Sequence, residues 1–149
     1  MTGREYLKQI RDENFKLKAL EDRIVELKND MYRIKTIDYD KDRVDGGIPI
    51  DIADRLGALQ QLMDEANSKW DELIRNKRLA LAIIFEIKDS RYQAVLEERY
   101  INMRSWDFIA RRMQYEPRNV FKLHGKALLV FDGLYSNCEK SAVKCSNNP

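Results

Sequence analysis

Arg118, Lys122 and Lys126 recur at four-residue steps after Pro117, with Asn119 beside them, so a helix starting at the proline carries all four on one side. Their chemistry is that of polyanion recognition. Arginine and asparagine form paired hydrogen bonds with base edges, and lysine favours phosphate. We therefore expect Arg118, Asn119 and Lys122 to face base edges and Lys126 to touch phosphate, together with Arg111, Arg112 and Arg104 just upstream. Arg111 and Arg112 also suit the negative end of a helix dipole, an equally good account of them.

Other chemistries find less support. His124, the only histidine, falls toward the edge of the apolar side of that helix with no Ser or Cys partner near it, which favours packing or a phosphate contact over catalysis. Glu97 and Glu98 are adjacent, so they point about 100° apart on a helix and cannot form a paired acid-base site. Asp38, Asp40 and Asp42 match the first three ligand spacings of an EF-hand loop. Arg43 and Pro49 stand where that loop needs Gly and Glu, so a solvated loop is expected instead. No glycine-rich phosphate loop or metal-ligand cluster occurs, and the expectation is a non-enzymatic chain without a cofactor.

The elements that must position the cationic side read clearly. Ser105 is a good N-cap for a short helix with Trp106, Ile109, Ala110 and Met113 on one face. Gln114, Tyr115 and Glu116 form a turn, and Pro117 suits the first position of the next helix, where its missing N–H has no partner to lose. Val120, Leu123, Ala127 and Phe131 supply that helix with a core side opposite the cations. A short helix, a three-residue turn and a second helix is the helix-turn-helix layout, whose second helix enters the major groove. Among residues 99–131 the bases Arg99, Arg104, Arg111, Arg112, Arg118, Lys122 and Lys126 face only Asp107 and Glu116 as acids. The whole chain carries only +2, so the positive excess is local.

The stretch SWDFIARRMQYEPRNVFKLHGKAL, residues 105–128, resembles the region 4 helix-turn-helix of bacterial sigma factors, and LEERYINMRSW before it looks like the approach common in such modules. Pro117, Phe121 and Glu116 depart from the usual choices at their positions. With its helical N-terminal half, the chain is similar to phage regulators of late transcription of the RinA and ArpU type. The resemblance implies DNA binding, with Arg118 and Lys122 at reading positions, and contact with RNA polymerase in a late-gene activator.

Upstream, Tyr6, Ile10, Leu17, Leu20, Ile24, Leu27, Met31 and Ile34 follow alternating three- and four-residue steps, interrupted only by Glu13. A polar run with Gly46-Gly47 and then Pro49 forms a hinge. Ile52, Leu56, Leu59, Met63, Ala66, Trp70, Leu73, Ala80, Ile84 and Ile87 make a second seam, interrupted only by Lys77. We expect an all-α chain: a long antiparallel, coiled-coil-like helical hairpin over residues 1–88, then a sigma-region-4-like helix-turn-helix over residues 89–133. Leu81, Ile83 and Phe85 leave the second seam and call for a cover, which Tyr92, Val95, Leu96 and Tyr100 can provide. Asp132-Gly133 should end the last helix, leaving residues 134–149 as a disordered tail. The seams serve either the monomer alone or a homodimer built as a four-helix bundle.

Cys138 and Cys145 have no CxxC spacing, which fits a reducing compartment, and neither a signal peptide nor a bilayer-length apolar run is evident. These features point to the cytosol and to no membrane partner, and the resemblance to phage regulators implies that this is the cytoplasm of a bacterial host. Double-stranded DNA is the expected ligand. A DNA-packaging factor of the small-terminase kind and a helical module that binds a host protein are the competing readings.

Overall fold

Helix α1 begins with a reciprocal cap. The Thr2 hydroxyl accepts from the Glu5 backbone N–H at 3.2 Å, and the Glu5 carboxylate accepts from the Thr2 N–H at 2.8 Å. Two of the donors that a helix start leaves free are thereby satisfied, and these hydrogen bonds hold the Glu5 carboxyl below its ordinary range.

The computed structural model describes residues 1–38 and 50–146. The elements are α1 (Gly3–Asp38), α2 (Ile50–Phe85), α3 (Ser90–Leu96), a π-helical turn (Glu97–Ile101), α4 (Trp106–Met113) and α5 (Pro117–Ser146). The chain is all-α, with no strand among the described residues. The polar loop expected over 39–49, with its calcium-like spacing, and the side chains of Ile34, Ile52 and Cys145 lie outside the described residues.

Two compact units divide the chain, and both long helices contribute to both. The hairpin unit, Asn14–Glu72, is held by one apolar seam. Ile24, Leu59 and Ala66 are buried in it, with Leu20, Leu27, Met31, Leu62 and Met63 packed against them. The Trp70 indole N–H donates to Glu21 Oε1 at 2.8 Å, while Met31 and Leu59 line a shared cavity. Residue numbers rise along α1 as they fall along α2, so the two segments are antiparallel. Leu56, expected on the seam, is instead 45% exposed. Two helices shield only a narrow stripe, and a straight helix drifts out of a seven-residue repeat by about 20° per heptad.

The head unit comprises Met1–Glu13 and Leu73–Pro149. The proposed boundary at residue 88 therefore does not coincide with its edge. The unit takes in the start of α1 and the end of α2 because both supply its core. Leu7 and Ile10 are fully buried, as are Leu73, Ala80 and Ile84. The Tyr6 hydroxyl donates to the Asn76 carbonyl at 2.9 Å, and Arg11 donates to the Arg99 carbonyl at 2.8 Å. The apolar end of α2 is covered as expected at Ile83, with Val95, Leu96 and Tyr100 buried in the same unit, but Phe85 remains exposed.

The last helix does not stop at Asp132-Gly133. It continues to Ser146, so a disordered tail over residues 134–146 is corrected to helix. The reason lies in tertiary contacts. Asp132 Oδ1 accepts the Gly3 N–H at 2.5 Å, and the buried Tyr135 stacks on Tyr6 with ring centroids 5.0 Å apart. Burying a large side chain contributes about 2 kcal/mol, enough to offset the roughly 1 kcal/mol cost of a glycine inside a helix. Gly3 is itself required by space, since a Cβ there would stand 3.0 Å from the Asp132 Cα and from the Phe131 ring.

Candidate nucleic-acid interface

The turn between α4 and α5 is built as the residue types demand. The Ser105 hydroxyl accepts from the Phe108 N–H at 3.3 Å and caps α4. At the other end Gln114 adopts the left-handed conformation (φ 58°), its N–H reaching the Ala110 and Arg111 carbonyls, and the Tyr115 N–H bonds to Ala110 at 3.0 Å. This closure satisfies carbonyls that the helix would otherwise leave open, and it reverses the chain within three residues. Glu116 then accepts the Asn119 and Val120 N–H groups through its carbonyl, and Pro117 opens α5.

Packing fixes which side of α5 faces outward. Val120, Ala127, Leu128 and Phe131 are buried. Trp106 of α4 packs against Phe121 at 4.9 Å and against the His124 ring, edge-on, at 4.7 Å. With that side turned inward, Arg118, Asn119, Lys122 and Lys126 are all exposed, and so is Arg111 on α4. Among the described residues, none of these four cations forms an ion pair.

Arg104 and Arg112 differ from them. Both approach the carboxylate of Glu98, which is buried in the π-helical turn: Arg112 Nη1 lies 3.5 Å from Oε1 and Arg104 Nε 4.0 Å from Oε2. Asn102 also donates to Oε1 at 3.3 Å, whereas Oε2 has no hydrogen-bond partner. Arg104 lies over the Phe108 ring at 4.6 Å, and Arg99 lies over Trp106 at 4.2 Å. These arginines have structural work in the head, so among the basic residues of 99–131 the unpaired charge lies on α5 and at Arg111. Glu98 gives no sequence signal for this role, because Arg104 and Arg112 reach it from beyond the π-helical turn, from the link before α4 and from α4 itself.

His124 is half-buried, and its Nε2 lies 3.0 Å from the Tyr100 hydroxyl. Burial first, and then the charges of Arg99 and Arg4, push its pKa down to about 4. It is neutral near pH 7 and serves packing.

Beside the cationic side lies a pocket of about 250 Å³, lined by Arg91, Tyr92, Tyr115, Asn119, Lys122 and Lys126. Arg91 and Tyr92, from α3, were not among the expected site residues. Only the positive charge of Arg91 could have flagged them, and Arg91 lies outside the motif. The described residues hold no group of three or more His, Cys, Asp or Glu able to take a metal, and no described helix is long and apolar enough to cross a membrane. Comparison with protein-family models, with curated proteins and with solved structures finds no match.

Proposed function

We propose that this chain is a sequence-specific DNA-binding transcription regulator of the bacterial host cytoplasm, in which α5 lies in the major groove. The observation that carries the reading is the exposure of Arg118, Asn119, Lys122 and Lys126 on one side of a helix whose other side is buried. A groove about 12 Å wide admits one helix, and the first turns of that helix are those nearest the base edges. Arg118 and Asn119 read bases in this arrangement, while Lys126 and Arg111 contact phosphates. Arg104 and Arg112 contribute more weakly, because Glu98 already draws on both.

The likeness to phage late-gene activators supplies the partner in this proposal, the host RNA polymerase, and the hairpin supplies a surface for a homodimer. Fluorescence anisotropy with a promoter duplex selected from the source genome and a scrambled duplex tests DNA recognition. Arg118→Ala should lose about 1–3 kcal/mol of specific affinity and relax discrimination between the two. Equal binding of variant and wild type removes Arg118 from the reading set. Light scattering separates a regulator, as monomer or dimer, from a packaging factor, which forms a ring of many subunits.

A further inference from the structure

We propose that the pocket between α3 and α5 seats one phosphate of the DNA backbone, with Arg91, Lys122 and Lys126 supplying charge around it. The inference rests on the DNA-binding reading above and deepens it, because it moves Lys122 from base reading to phosphate and adds a residue from a different helix. The pocket lining holds three cations and no carboxylate, while Asp89, outside the lining, is ion-paired with Arg91 at 2.9 Å and offsets part of its charge. Lysine offers a compact charge that suits a phosphate better than a base edge, and an arginine fork can hold two phosphate oxygens at once.

Arg91 is set in place before any anion arrives. Its Nη2 lies 2.9 Å from Asp89 Oδ2 and its Nε 3.2 Å from Asp89 Oδ1, and Tyr115 lines the pocket with it. A guanidinium has five N–H donors, so donors remain for a ligand once these bonds are made. Tyr115 belongs to the turn that aims α5, and it lines the pocket together with Asn119, Lys122 and Lys126 of α5, so the pocket borders the start of the reading helix. A phosphate held there fixes the register in which Arg118 and Asn119 meet the bases, which is the division of labour between backbone and base contacts.

The test uses the full chain. Arg91→Met removes the charge but keeps the Arg91 backbone N–H that Asp89 Oδ1 accepts at 2.9 Å, so the cap of α3 survives. Lys140→Met, an exposed position far along α5, is the control of equal charge change. Binding to specific and scrambled duplexes is measured over a series of KCl concentrations. For Arg91→Met the slope of log K against log salt should fall in magnitude by about 0.9, with the same fractional loss on both duplexes, and the control should keep the wild-type slope. An unchanged Arg91→Met slope, with wild-type binding intact, overturns the pocket assignment and leaves the DNA-binding reading standing. Absence of duplex binding by the wild type at low salt overturns both. Titration with inorganic phosphate and with pyrophosphate, followed by amide chemical shifts at Tyr115 and Asn119, separates the two sources of phosphate. Saturation by the free anion with no Arg91 effect on DNA assigns the pocket to a small ligand and overturns the proposal.

Discussion

The hairpin unit and the head unit draw on the same two long helices, yet they are covered very differently. Among the described residues, the buried apolar side chains of the hairpin are Leu17, Ile24, Leu59 and Ala66, and the other buried apolar residues belong to the head. One helix against one helix shields a single stripe. A helix surrounded by several neighbours is shielded on most of its circumference, as Leu7 is beside the seam residues Tyr6 and Ile10. The lesson is that equal periodicity in the two halves of a seam does not mean equal stabilisation, because the number of neighbouring elements decides how much of the stripe leaves water.

The sharpest way to break this contrast is to hollow out each unit in turn. Phe131→Ala, at a fully buried ring in the head, should cost about 3–5 kcal/mol, whereas Leu59→Ala in the hairpin should fall near the low end of the usual range for such truncations, about 2 kcal/mol. Urea denaturation followed by circular dichroism measures both, and a Leu59→Ala loss equal to that of Phe131→Ala would abolish the distinction.

Acid sharpens it next. His124 is neutral in the head with its pKa depressed to about 4, against about 6.5 when unfolded. The folded state therefore binds fewer protons, and the His124 contribution is fully present above pH 6.5 and lost as pH falls toward 4. Discounted for the partial exposure of the ring, it amounts to roughly 1–2 kcal/mol. Hydrogen exchange across that window should show protection falling in the head, with the drop smaller in a His124→Gln variant.

Two glycines give the finest comparison. Gly3→Ala in the head should destabilise by about 1–2 kcal/mol, since its Cβ meets the backbone of Asp132 at 3.0 Å. Gly57→Ala in the hairpin meets nothing within 4 Å and should stabilise by about 0.5–1 kcal/mol through helix propensity. Thermal melts of the two variants should shift in opposite directions.

Much of this architecture was legible beforehand because it depends on local rules. The seam positions, the Ser105 cap, the Gln114–Glu116 turn and the proline start of α5 follow from periodicity, side-chain oxygens near a helix start and the missing proline N–H. What stayed hidden depends on residues far apart in sequence. Gly133 signalled a stop that Tyr135, packed on Tyr6, overrides. Arg104 and Arg112 carry the same charge as Arg118, and nothing local shows that a buried Glu98 draws them in. The pocket formed with Arg91 required α3 to pack beside α5, which periodicity within either helix cannot show.

The bond between Gly3 and Asp132 spans 129 positions of the chain, and that separation has a consequence for synthesis. A ribosome delivers the hairpin's two strips long before it delivers α5, so the hairpin can zip up by local pairing while the opening turn of α1 still lacks its far partner. Closure of the head is then the late event of biogenesis. Until it happens, Gly3 lacks the Asp132 carboxylate and Tyr6 lacks the Tyr135 ring, and a nascent chain stalled before residue 132 should be the form most readily held by a chaperone.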